Sequence, residues 1–131
     1  MTTTTPAHWA DGLTRHCHID SHFGAFREVY RHFRADDAAG RIADAGFQTA
    51  TYFAKCWAGY SYYPTQIGTV HPGLACDFTG GFTAALKRRG LRCLVYFNLG
   101  QERRLHRLHP EWIANRDPAG AVPAAASLTD V

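Results

Sequence analysis

"AGFQTATYF" (residues 45–53) and "RGLRCLVYF" (89–97) are one phrase written twice. In each, a glycine ends a helix-spaced segment, and a run of β-branched, aromatic and aliphatic residues starts almost at once. The segment before the first is "RADDAAGRIADAG" (34–46), with Asp36 or Asp37 near its start and Ala39, Ile42 and Ala43 forming one apolar stripe. The segment before the second is "DFTGGFTAALKRRG" (77–90), opened by Asp77 and closed by basic residues ahead of Gly90. An earlier strand-like run, "RHCHIDSHF" (15–23), completes the order β–α–β–α–β, with the second and third strands predicted at 47–56 and 91–100.

The class is therefore α/β. Near-continuous apolar runs predict parallel strands covered on both faces and joined by right-handed crossovers. The turns from helix to strand are one or two residues long, whereas the connections leaving strands one and two run to about a dozen and two dozen residues before the next helix. Long loops at the carboxyl ends of parallel strands are where such sheets build their sites. After the third strand, "HPEWIANRDPAG" reads as a loop with a short helix at 110–114.

Composition sets the outer bounds. At 131 residues, 46% apolar and 13% aromatic, the chain is long enough for one globular domain with a modest core. No apolar run approaches the ~18–20 residues of a membrane span, so no membrane partner is expected. "MTTTTPAHWADG" has neither the basic nor the apolar region of a secretory signal. Residues 1–14 read as a flexible leader, 15–120 as the folded part and 121–131 as a disordered tail. Net charge is +3. The clusters Arg88, Arg89, Arg92 and Arg103, Arg104, Arg107 read as solvated helix faces, and no nucleic-acid motif accompanies them. Cys17, Cys56, Cys76 and Cys93 lack CxxC spacing. Free thiols in predicted strands fit a reducing cytoplasm rather than a disulfide framework.

The polar residues at strand ends carry the chemistry. His18, Asp20 and His22 recur at spacing two, which on a strand points them to one side. One reading is a polar cluster holding a polyhydroxylated ligand. Another is a metal-dependent hydrolase site using His16, His18 or Asp20. A third is simple structural hydrogen bonding. Lys55 ends strand two, where a buried ammonium needs a partner unless it snorkels to solvent. The loop after it, within "FAKCWAGYSYYPTQIG" (53–68), carries Trp57, Tyr60, Tyr62 and Tyr63. Two or more of these rings are expected to pack on the core. The others, beside Lys55, suit a cleft with apolar walls and a few aimed polar groups. Tyr96 and Asn98 alternate on strand three, and Glu102 on the following loop reads as a solvated charge.

"FAKCWAGYSYYPT" resembles the segment after the second strand of alpha-L-fucosidases and, more closely, that of related hypothetical glycosyl hydrolases. "HIDSHFG", "LKRRGLRCLVYFNLG", "HPEW" and "RDPAG" extend the resemblance over roughly residues 16–120. It implies a (β/α)8 TIM barrel, of which this chain is the N-terminal βαβαβ portion, truncated after about three strands. It also implies a carbohydrate substrate, no cofactor, and a sugar subsite lined by His22, Lys55, Trp57 and Tyr60. His18, Asp20 and Asn98 join that list as substrate-binding candidates from their placement. The paired histidines of the fucosidases are Cys56 and Trp57 here, and the nearer relatives' pair is Trp57 and Ala58. A full barrel takes about 250 residues, and a retaining glycosidase needs two carboxylates about 5–5.5 Å apart. In the similar enzymes both come from later strands. The expectation is one wall of a sugar cleft, no catalytic residue, no activity alone, and self-association through the open sheet edge. A non-catalytic half-barrel that pairs with its own copy is the further alternative.

Overall fold

The computed structural model describes residues 8–99, 102–112 and 119. The tail 121–131, the start of the leader and the end of the helix expected at 110–114 lie outside the described residues.

Helix α1 (Ala35–Asp44) and helix α2 (Phe78–Arg88) form within the predicted segments 34–46 and 77–90. Asp77 caps α2, its carboxylate accepting the Gly80 N–H at 2.8 Å. The acidic start of α1 behaves differently. Its N-cap is Arg34 and makes no side-chain cap, while Asp36 pairs with Arg88 across the helices at 2.7 Å. The Arg88 hydrogen bond holds the Asp36 carboxyl below its usual pKa. Gly46 and Gly90 end the two helices with φ of 78° and 73°, a backbone region open to glycine at no steric cost.

The strands β1 (His16–His18), β2 (Thr49–Lys55) and β5 (Arg92–Phe97) make a parallel sheet with β2 in the middle. His16 lies opposite Thr49, and Thr49 opposite Arg92. Two short strands, β3 (Tyr60–Ser61) and β4 (Thr69–Val70), extend the carboxyl end of β2, with β3 antiparallel to it. They lie in the long connection that the sequence presented only as loop. β1 is shorter than the predicted 15–23, so His18 ends the strand and Asp20 and His22 belong to the loop beyond it.

Helix α1 packs on α2, and α2 packs on β2 and β5. Tyr52 meets Phe78 and Phe82 of α2, and its hydroxyl donates to Thr83 while Thr83 donates to the Thr79 carbonyl. On the opposite face of the sheet Phe53 stacks on Tyr96, ring centres 4.2 Å apart. Coverage on both faces holds for β2 alone. Leu94, Val95 and Phe97 of β5 remain 39%, 46% and 45% exposed, because β5 has β2 as its one pairing neighbour among the described residues.

The phenols of Tyr52 and Tyr62 are buried in this core. Burial pushes the Tyr52 pKa up to about 12 and that of Tyr62 further in the same direction. The folded state thus keeps these protons more tightly than the unfolded chain, whose tyrosines titrate near 10. Stability is complete below about pH 10 and falls as pH rises toward 12, by about 1.4 kcal/mol per unit for each phenol. Urea midpoints measured at pH 8, 10 and 11 should drop only in the last step. A midpoint unchanged at pH 11 contradicts the burial of both hydroxyls.

Candidate functional site

The connections that leave the carboxyl ends of β1, β2 and β5 converge, and Tyr62 is the peg between the first two. Its hydroxyl donates to the Ser21 carbonyl at 2.9 Å and accepts the Phe23 N–H at 3.1 Å. Those are the two neighbours of His22, so a buried phenol on the β2 loop fixes where that imidazole stands. Tyr62 is thereby a core residue and not part of a recognition surface. His71 adds a second tie. Its Nδ1 accepts the Gly73 N–H at 3.0 Å, which leaves Nε2–H to donate to the Gly24 carbonyl at 2.6 Å.

These ties define a cleft of about 640 Å³. One side is the β1 loop, with His22, Gly24 and Phe26. The floor is Trp57, Ala58 and Tyr60 from the β2 loop. The remaining wall is helix α3 (Arg103–Leu108), which contributes Arg103, Arg104, Arg107 and Leu108. The Arg103 guanidinium lies 5.9 Å from the Trp57 ring centre, and Arg104 stands at the same distance over Tyr60. The Arg104 Nε–H also donates to Thr69 of β4 at 3.0 Å, and the Arg103 N–H donates to the Trp57 carbonyl at 2.9 Å. Arg103 and Arg104 are therefore half-buried against the rings, while Arg107 stays exposed as the clustering suggested. The sequence does not predict helix α3, since six residues of mostly basic sequence carry too weak an apolar stripe to signal a helix.

Lys55 and Glu102 form a buried ion pair at the base of this wall, with Glu102 only 5% exposed. The expectation of a solvated Glu102 fails for that reason. The ammonium also sits 5.1 Å from the Phe97 ring centre. Gly59 makes the pairing possible, for at φ 90° it lets α3 approach closely. A Cβ there would meet the Arg104 Cβ at 2.6 Å and the Glu102 carboxylate at 2.8 Å.

Of the sequence candidates, His22, Trp57 and Tyr60 share the cleft. His22 stands edge-on to Phe53 at 4.7 Å, and Asp20 reaches to 3.5 Å from His22 Nε2. His18 also sits edge-on to Phe53, at 5.9 Å, away from the cleft lining. Asn98 is buried at the end of β5, its amide donating to the Tyr96 hydroxyl at 3.0 Å. His16 approaches the hydroxyls of Thr49 and Thr51 with its two ring nitrogens, at 2.7 and 3.0 Å. Among the described residues no group of three His, Cys, Asp or Glu side chains is set to hold a metal. The four cysteines are free thiols, and no described helix is long and apolar enough to cross a membrane.

The fold is similar to that of solved alpha-L-fucosidases. Alpha-L-fucosidase isoenzyme 2 from Paenibacillus thiaminolyticus matches 89% of this chain at 25% identity, with a TM-score of 0.78. The Thermotoga maritima alpha-fucosidase matches 59% at 21% identity and a TM-score of 0.54. The chain spans 18% and 19% of those two proteins. No curated protein sequence matches it. Residues 34–130, well over half of the chain, match the family described as Hypothetical glycosyl hydrolase 6, and the chain belongs to that glycosyl hydrolase family, with an alpha-L-fucosidase-like fold in its N-terminal portion.

Proposed function

We propose that this chain is the N-terminal part of an alpha-L-fucosidase-like (β/α)8 barrel and supplies one wall of its sugar-binding cleft. The observation that carries this reading is the gathering of His22, Trp57 and Tyr60 around one cleft at the carboxyl ends of parallel strands. Sugars offer C–H faces to rings and hydroxyls to imidazole and phenol groups, and this lining supplies both. His18, Asp20, Lys55 and Asn98 support the subsite from beside and beneath it. Among the described residues no carboxylate pair is set for catalysis in the cleft. Glu102 is turned inward onto Lys55, and Asp20 is engaged with His22. The half-exposed apolar residues of β5 are the edge at which further strands or a second copy would add.

The test is sugar binding by the whole chain, followed by saturation-transfer NMR with L-fucose and a fucosylated trisaccharide. Binding in the millimolar range is expected, with no turnover of an aryl fucoside. Trp57→Ala should weaken it about tenfold or more while the circular dichroism stays unchanged. Absence of binding to any neutral or charged sugar overturns the reading. Turnover by the purified chain would place a working carboxylate pair within these residues and overturn its second half.

A further inference from the structure

We propose that His71 is a pH-sensitive latch, which as a neutral imidazole holds the β1 loop closed along one side of the cleft and on protonation releases it. The proposal concerns the cleft wall and stands whatever the cleft binds.

The latch is a chain of hydrogen bonds that begins and ends on the same loop. His71 Nε2–H donates to the Gly24 carbonyl at 2.6 Å, and its Nδ1 accepts the Gly73 N–H at 3.0 Å. The Gly73 carbonyl in turn accepts the Val29 N–H at 2.8 Å. Residues 25–28 are thus pinned at both ends, and two of them, Ala25 and Phe26, line the cleft. The turn at Gly73 presses directly on this loop, since a Cβ there would collide with the Arg27 carbonyl.

Both ring nitrogens are committed, and the commitment requires a neutral ring. Nδ1 accepts a hydrogen bond only while it carries no proton. A proton there sets one N–H against another and creates a charge on a side chain that is 2% exposed. Nothing that faces the ring compensates for it. The titratable groups packed against it are the phenols of Tyr60 and Tyr62, with ring centres 5.1 and 5.9 Å away. Over Tyr60 lies the Arg104 guanidinium, a charge of the same sign as an imidazolium. In the β1 loop, Arg27 is exposed and Glu28 is paired with Arg31 at 2.8 Å. Among the described residues no carboxylate pairs with His71.

The open loop therefore holds one more proton than the closed one, so closure is present at neutral pH and lost as pH falls. An imidazole freed to water titrates near 6.5, so the open population should rise about tenfold from pH 7.5 to 5.5. Helix α1 is the reference over this interval, because its Asp36 carboxyl, held below the usual range by Arg88, stays ionised.

Amide exchange of the whole chain, followed by NMR at the two pH values, reads the latch as protection relative to α1. Protection of the Val29, Gly73 and Ala75 N–H groups should fall about tenfold at pH 5.5. H71Q, which offers an acceptor and a donor but no titrating ring, should show equal protection at both. H22Q, on the same loop, should keep the step. A step absent from the parent, or retained by H71Q, overturns the proposal. So does a step abolished by H22Q, which assigns the proton to another imidazole. If H71Q does not fold, the parent decides alone through the nitrogen shifts of its His71 ring. They should show a proton on Nε2 only at pH 7.5, and on both nitrogens only as Val29 loses protection. A protonated Nδ1 with Val29 still protected overturns the latch.

Discussion

Replacing Glu102 by Ala is expected to cost the fold about 3–5 kcal/mol, a large share of the stability of a small domain. The cost does not come from the lost attraction alone. Lys55 is 8% exposed at the end of the central strand, and without Glu102 its ammonium is left in a low-dielectric place with no counter-charge. Glu102→Gln should cost less, because the amide oxygen still accepts a hydrogen bond. The double replacement K55M/E102L should recover most of the loss, as apolar residues of similar volume remove both desolvation costs. Urea unfolding of the four proteins checks the series. If Glu102→Ala unfolds within 1 kcal/mol of the parent, the pair is open to water and the account of α3 docking fails. The K55M/E102L protein has a second use, since it keeps Trp57 and Tyr60. Retained sugar binding there would make Lys55 a support for the subsite and not a contact.

Phe78→Ala should destabilise the protein by about 3–5 kcal/mol, the range for a fully buried aromatic. Phe78 is 1% exposed and touches rings from every layer. Tyr30 stacks on it at 3.8 Å between ring centres, and Phe33, Tyr52, Tyr62 and Phe82 surround it at 4.8–6.5 Å. Tyr30 holds φ of 61°, an unfavourable conformation for a residue with a Cβ. Its stack on Phe78 is one of the contacts that keep it there. Removing the Phe78 ring should therefore loosen the β1 loop as well as the core. Amide exchange at 21–30 should speed up more than exchange in α1. Phe78→Leu, which refills part of the space, should cost about half as much. A loss confined to global stability, with the loop unchanged relative to α1, would separate the site from the core and contradict this.

The sequence by itself determined the β–α–β–α–β order of the main elements and the parallel pairing of their strands. It could do so because each of those features is local. The stripe of Ala39, Ile42 and Ala43, the stops at Gly46 and Gly90, and the apolar runs of β2 and β5 each state their own structure. The specific second-strand segment also named the family. Tertiary structure decided the rest, because it depends on which loop residues meet across long separations. Tyr62 sits among the other loop rings in sequence, and only packing showed it as the peg beside His22. Glu102 reads as an exposed charge until α3 folds over Gly59 and carries it onto Lys55, 47 residues away. The same docking half-buries Arg103 and Arg104 against Trp57 and Tyr60, while Arg107 stays exposed at the cleft edge. A charge on a short polar helix has no periodic signal to say what it faces, so its environment is set by the chain it lands on.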